Sequence, residues 1–292
     1  MLKNTFMHIP GIGNITEQRL WESGIQHWDQ FTENHSVRFS PAKMDTINTC
    51  LNQSYQQLKT GNPNYFSENL PANLHWRFFP EFRHSMVYLD IETTGLHRYH
   101  DLITTISLYD GKSIYYYING HNLNDFREDI EKYNAIVSYN GKTFDVPFIE
   151  NYFGIRLSHA HIDLRYILGS LGYRGGLKSC ETQLGIDRGD LKDIDGFFAV
   201  QLWYDYQKTG NQKALETLLA YNIQDVLSLE HLMVISYNLK IKHTPFYKKR
   251  LPEPVLPEIP FQVDMETVEK IKSENIYAFQ NTDIYLRHRG IF

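Results

Sequence analysis

The sequence is poor in several features, and each shortage excludes something. Two cysteines, Cys50 and Cys180, stand in 292 residues. They are too few and too far apart for a disulfide framework or a cysteine-rich zinc site, so reduced thiols are expected. No run approaches the roughly 18 consecutive apolar residues of a membrane span. The N-terminal MLKNTFMHIPGIG also lacks the apolar core of a secretory signal. The reading is a cytoplasmic protein with no membrane partner. Internal repeats are lacking as well. Positive charge is short too: 29 Lys and Arg against 34 Asp and Glu leave a net charge of -5, a poor total for a nucleic-acid binder.

The deficit is local. Residues 1–85 carry 7 basic and 7 acidic side chains, residues 86–239 carry 13 and 20, and residues 240–292 carry 9 and 7. An acidic middle is either a solvated surface or a set of carboxylates gathered around divalent cations. At 42% hydrophobic and 14% aromatic, the chain has the composition of a globular protein, long enough for one main domain with flanking parts.

The pattern divides the chain in three. Residues 1–85 read as a helical N-terminal region, broken at Gly61-Asn62-Pro63-Asn64. From Ser85 the runs SMVYLDIE, LITTISLYDG and SIYYYING read as three hairpin-linked strands, and AIVSYNG as a fourth. Helical stretches are expected at 123–133, 143–153, 163–171, 177–184, 197–206 and 211–237. Strands first, then strand and helix in alternation, predict an α/β structure over 86–239 with a mixed sheet flanked by helices. Residues 240–292 form a basic and Pro-rich extension, in which LPEPVLPEIP suggests an extended linker or clamp.

The pattern Asp-x-Glu occurs three times, as Asp90/Glu92, Asp129/Glu131 and Asp264/Glu266. Only the first lies on an apolar, β-branched run. Residues i and i+2 of a strand face the same way, so Asp90 and Glu92 repel each other. Two ionised carboxylates in a mostly buried strand are expensive unless paired or coordinated to a metal. A hard cation such as Mg²⁺ or Mn²⁺ takes oxygen ligands and leaves positions open for water and phosphate, so further carboxylates should converge there. In YNGKTFDVPF, Asp145 begins a helix and fits either a capping role or a ligand role. In LLAYNIQDVLSLEHL, Tyr221 and Asp225 are four apart on one helical face; a core tyrosine is the alternative reading of Tyr221. Asp163, just before an apolar helical run, reads as an N-cap rather than a fifth ligand.

In their order and settings these segments resemble the DEDD superfamily of 3′→5′ exonucleases in its tyrosine-bearing branch, with a ribonuclease H-like fold. LDIETTGL corresponds to the first motif, NGKTFD to the second and YNIQD to the third, and HIDLR, GGLKSCETQLGI and AVQLWYDY resemble the YprB-type exonuclease-like group. The resemblance covers about residues 85–238. It implies two Mg²⁺ or Mn²⁺ ions held by Asp90, Glu92, Asp145 and Asp225, with Tyr221 orienting the attacking water. Thr93, Thr94 and Leu96 would wrap the 3′-terminal nucleotide of a single-stranded DNA or RNA, and Asn140 would face it. Two alternatives stay open: a catalytically silent nucleic-acid- or partner-binding module, and a structure-selective endonuclease.

Near the N-terminus, HIPGIGNITEQRLW resembles a helix-hairpin-helix turn, in which Gly11 and Gly13 would approach a phosphate. Asn14 and Glu17 have capping-box spacing. A glycine turn that starts a packed helix, burying Leu20, Trp21 and Ile25, explains the same residues. KIKHTPFYKKR, 240–250, sets basic residues around Phe246 and Tyr247, which suits either base stacking or a solvated helix end.

Overall fold

The β-branched and aromatic runs after Ser85 form strands because such side chains pack well on a pleated, half-buried surface. They are β1 Met86–Thr93, β2 Ile103–Tyr109, β3 Ile114–Ile118 and β4 Ala135–Ser138. These positions come from a computed structural model that describes residues 1–31 and 37–274. A fifth strand, β5 Ala160–Asp163, adds to the four expected and occupies a stretch that the sequence reading left unassigned up to Asp163. Four residues containing a polar histidine give too short a signal. His161 is nevertheless buried, its Nε2 hydrogen-bonded to Ser138 Oγ at 2.7 Å.

The sheet order is β3-β2-β1-β4-β5. β1 pairs antiparallel with β2 and parallel with β4, and β4 pairs parallel with β5, so the sheet is mixed, as expected. Among the described residues four α-helices precede it: α1 Asn14–Glu22, α2 Pro41–Lys59, α3 Pro63–Asn69 and α4 Phe79–Phe82. α5 Phe126–Asp129 joins β3 to β4, and α6 Asp145–Phe153 joins β4 to β5. Then follow α7 Leu164–Ser170, α8 Leu177–Leu184, α9 Gly196–Thr209 and α10 Gln212–Ile241.

The two faces of β1 bury into different cores. Val87, Leu89 and Ile91 pack with Phe148 and Ile149 of α6. Met86 and Tyr88 share a cluster with Val226, Leu229 and Met233 of α10. Side chains alternate along a strand, so Asp90 and Glu92 belong to the α10 face. The N-terminal helices contribute to that same cluster through Trp28, Phe66 and Trp76.

Local breaks follow side-chain chemistry. Asn62 caps α3 by accepting from Asn64 N, and Asp163 caps α7 by accepting from Arg165 N at 3.0 Å. Residues 251–259 have no regular secondary structure, yet Leu251, Leu256 and Ile259 pack on the core; the Pro-rich stretch therefore runs as a clamp. Asp264, of the third Asp-x-Glu, accepts from Thr267 N at 2.8 Å and pairs with Lys213 at 2.9 Å. The extension beyond residue 274 lies outside the described residues. Among the described residues no helix is long and apolar enough to cross a membrane.

Candidate active site

The site is built where β1 outruns β4. β4 pairs only with Met86, Val87 and Tyr88 of β1, which leaves the far half of that strand edge without a neighbour. A free backbone N–H in a buried setting needs an acceptor. Asp145, the first residue of α6, supplies it: its Oδ1 accepts from Ile91 N at 3.2 Å. The helix start thus carries Asp145, 4% exposed, to the strand that bears the other two carboxylates.

From the opposite side α10 brings Tyr221, Asn222 and Asp225. Ligand oxygens of Asp90, Glu92 and Asp225 all lie within 4.8 Å of one another. Asn222 Nδ2 donates to Asp90 Oδ2 at 2.7 Å, and Asn222 Oδ1 accepts from Thr105 Oγ1 and Ser107 Oγ of β2. This fixes the Asp90 carboxylate against the neighbouring strand. Asn222 escaped the sequence reading because its role depends on β2, which is distant in sequence.

The electrostatics express this crowding. Burial first, and then the charges of Asp225 and Asp145, push the carboxyl groups of Asp90 and Glu92 well above the usual range. Burial raises Asp145 to about 7, against the hydrogen bonds from its own amide and from Ile91. Burial also raises Asp225, with Arg188 opposing. Burial and the charge of Asp225 lift the Tyr221 phenol well above its ordinary value, so it stays protonated and able to donate.

Two cations stand behind these groups, and neither was singled out from the sequence. Arg188 donates through Nη2 to Glu181 Oε1 at 2.8 Å and through Nε to Glu181 Oε2. Its Nη1 touches Asp225 Oδ1 at 2.6 Å, out of line for a hydrogen bond, so both atoms are buried without a hydrogen-bond partner. Lys178 Nζ lies 4.8 Å from the centre of the Tyr221 ring and is likewise buried without a partner. Lys178 and Arg188 also line a cavity of about 320 Å³ on their own side.

A larger cleft, of about 590 Å³, opens over Asp90, Glu92 and Asp145. Thr93, Thr94, Leu96 and Asn140 line it, and so does Phe197, which the sequence reading did not select. Leu96 and Phe197 are 83% and 68% exposed, large apolar side chains at a cleft rim. Phe197 could have been suspected from its place directly after Gly196 at the start of α9. The loop carrying Leu96 is closed by Asp101, which accepts from His97 N at 2.7 Å and Thr94 Oγ1 at 3.3 Å. A Cβ on Gly95 would meet the Asp101 carboxylate at 2.6 Å, so this turn needs glycine. Asn140 has φ 65, held by its amide donating to Asp163 Oδ1 at 2.8 Å.

Other expected features lie elsewhere. Gly11 and Gly13 do not line this cleft. α1 is capped by Gly13 without a side-chain bond, so the Asn14–Glu17 capping box is not formed. Glu17 turns inward instead, accepting from Phe6 N at 2.7 Å and pairing with Arg77. Leu20, Trp21 and Ile25 are buried, as the packing account requires. Phe246 is buried edge-on against Trp21 at 5.5 Å and offers no stacking face, whereas Tyr247 is 51% exposed.

The donor set is oxygen only: Asp90, Glu92 and Asp225 converge, whereas Asp145, turned to Ile91 N, is not one of the three whose oxygens lie within 4.8 Å of one another. Asp225 Oδ1 lacks an aligned hydrogen bond. These residues fit a hard divalent cation.

No curated protein matches the chain in sequence. Among solved structures, the family B DNA polymerase of the archaeon Pyrobaculum calidifontis is similar at 15% identity and a TM-score of 0.41, over 52% of this chain and 25% of the polymerase. Brucella melitensis NrnC with bound Mg²⁺ is similar at 16% identity and a TM-score of 0.38, over 56% of this chain and 77% of NrnC. NrnC bound to pGG gives 18% and 0.39, over 59% and 80%. The sequence pattern of one family spans residues 87–237, just over half of the chain and all of the strands and helices that carry the carboxylates. By that match the chain belongs to the RNase H superfamily.

Proposed function

We propose that the protein is a divalent-metal-dependent 3′→5′ exonuclease that hydrolyses single-stranded or frayed DNA or RNA to 5′-mononucleotides. The observation that carries this reading is the convergence of Asp90, Glu92 and Asp225 within 4.8 Å, with Asp145 beside them on Ile91. Two Mg²⁺ or Mn²⁺ ions held by Asp90, Glu92, Asp145 and Asp225 would lower the pKa of water and stabilise charge developing on the reacting phosphate.

The chain's own residues do the rest. Asn222 keeps Asp90 in one orientation. Tyr221 donates its phenolic proton in a hydrogen bond that orients the attacking water. Thr93 and Thr94 hold the terminal nucleotide, Leu96 and Phe197 flank its base, and Asn140 closes the far side. Gly11 and Gly13 offer a separate, sequence-independent phosphate contact through backbone amides.

The test incubates purified protein with 3′-labelled and 5′-labelled single-stranded DNA and RNA in Mg²⁺, Mn²⁺ or EDTA, beside Asp90→Ala. Stepwise, metal-dependent release of mononucleotides from the 3′ end by the wild type alone is expected. No cleavage under any condition would sink the enzyme reading, and internal fragments would make it an endonuclease.

A further inference from the structure

We infer that Arg188, aimed by Glu181, is an internal counter-cation that holds Asp225 in the metal-free protein and sets how tightly the centre takes up a divalent ion. The inference rests on the reading of Asp225 as a metal ligand and adds to it a positioning residue outside the cleft.

Glu181 on α8 is 1% exposed and engages the guanidinium along one edge, through Nε and Nη2. That two-bond fork fixes the plane of Arg188. Only Nη1 is left for Asp225, and it meets Oδ1 at 2.6 Å without hydrogen-bond alignment. Were Arg188 placed to serve Asp225, its planar fork would face that carboxylate; it faces Glu181. Asp225 is thus neutralised in part by a cation whose two-bond fork is directed elsewhere, its Oδ1 held by the single Nη1 contact at 2.6 Å. The two carboxylates compete for one guanidinium. A divalent ion arriving at Asp225 competes with Arg188 in turn, because like charges at contact distance repel.

The competition gives the two partners opposite effects. Arg188→Gln removes the counter-cation and leaves the carboxylate cluster one unit more negative, so metal should bind more tightly. Glu181→Gln releases the guanidinium from its competitor and lets Arg188 turn fully onto Asp225, so metal should bind more weakly. Two residues that merely braced the fold would shift affinity in the same direction or not at all.

The experiment titrates Mn²⁺ into the full-length wild type, Arg188→Gln and Glu181→Gln by calorimetry without nucleic acid, with metal-free melting curves establishing that each is folded. The Kd for Mn²⁺ should fall about tenfold in Arg188→Gln and rise about tenfold in Glu181→Gln, the scale of one charge contact in a screened interior. Equal or same-direction shifts overturn the inference while leaving the proposed activity standing. A wild type that binds no Mn²⁺ overturns both. Should Arg188→Gln not fold, Glu181→Gln decides alone: unchanged or tighter binding refutes the role.

Discussion

Among the described residues Glu17 and Asp225 are buried carboxylates that each meet a buried guanidinium, Arg77 and Arg188, and they are opposites in one respect. In the N-terminal region Glu17, fully buried, receives Thr5 Oγ1 at 2.8 Å, Phe6 N at 2.7 Å and Arg77 Nη1 on both oxygens. Arg77 lies between Trp21 and Trp76, 5.7 and 5.4 Å from their ring centres. At the candidate centre Asp225 keeps an oxygen with no aligned donor. A saturated carboxylate ties elements together, whereas an unsaturated one in a cluster of like charges is destabilising until something fills it. The difference separates a structural pair from a functional one, although each is buried.

The strongest test of that contrast is a crossed pair of substitutions. Asp225→Asn should lower metal-dependent cleavage by at least about 10³-fold, equivalent to several kcal/mol of transition-state stabilisation, while the metal-free protein melts no lower than wild type. Glu17→Gln should cost about 3–5 kcal/mol of stability by weakening a buried pair and leave the rate per folded molecule unchanged. Denaturant unfolding beside product formation reads both, and a stability loss in Asp225→Asn would erase the contrast. Next in size, Tyr221→Phe should slow cleavage roughly 10²-fold, the scale of a positioned proton-sharing group, with Mn²⁺ affinity unchanged. Wild-type rates would return Tyr221 to the core.

The pH dependence sharpens the comparison further. The Asp145 carboxyl is raised from 3.8 to about 7, so the folded state binds its proton more tightly than the unfolded chain does. The sign follows: metal-free stability should fall as pH rises through the interval from about 4 to 7, as the buried group is forced to ionise. Asp145→Asn should flatten that slope, and saturating Mn²⁺, which needs the ionised form, should oppose it. A melting temperature that climbs over the interval in the metal-free wild type and falls in Asp145→Asn would contradict the assignment. The smallest effect is expected at the N-terminal turn. Gly13 has φ -100 and nothing within 4 Å of a built Cβ, so Gly13→Ala should cost no more than about 1 kcal/mol of stability, the scale of a poorer N-cap. Nucleic-acid affinity should fall a few-fold; a loss of stability without a loss of affinity would favour simple packing.

Much of this centre was legible from sequence because its carboxylates sit in telling settings. Asp90 and Glu92 interrupt an apolar strand, and Tyr221 and Asp225 share a helical face, so local periodicity marks them as candidates; their grouping with Asp145 into one set is what the resemblance in motif order implied. Asp163 was read as a cap, and it caps α7. What escaped depends on tertiary pairing. β5 was missed since four residues carry too little alternation to be distinguished from a loop. Arg188 and Asn222 were missed because the partners that give them meaning, Asp225 and Asp90, lie on other elements. Glu17 was misread for the same reason: capping-box spacing is a local rule, and a buried Arg77 overrode it.

The short reach of β4 has a consequence for engineering this fold. Were β4 longer by a pair of residues in register with Asp90 and Ile91, it would claim the Ile91 amide as an ordinary ladder bond and displace α6. Asp145 would be evicted without a single acidic residue having been changed. The centre is therefore vulnerable to insertions at a strand terminus, a class of change that scanning by substitution never samples. Conversely, grafting the four carboxylates onto a sheet whose neighbouring strands run flush would transplant the charges and leave behind the vacancy that seats them.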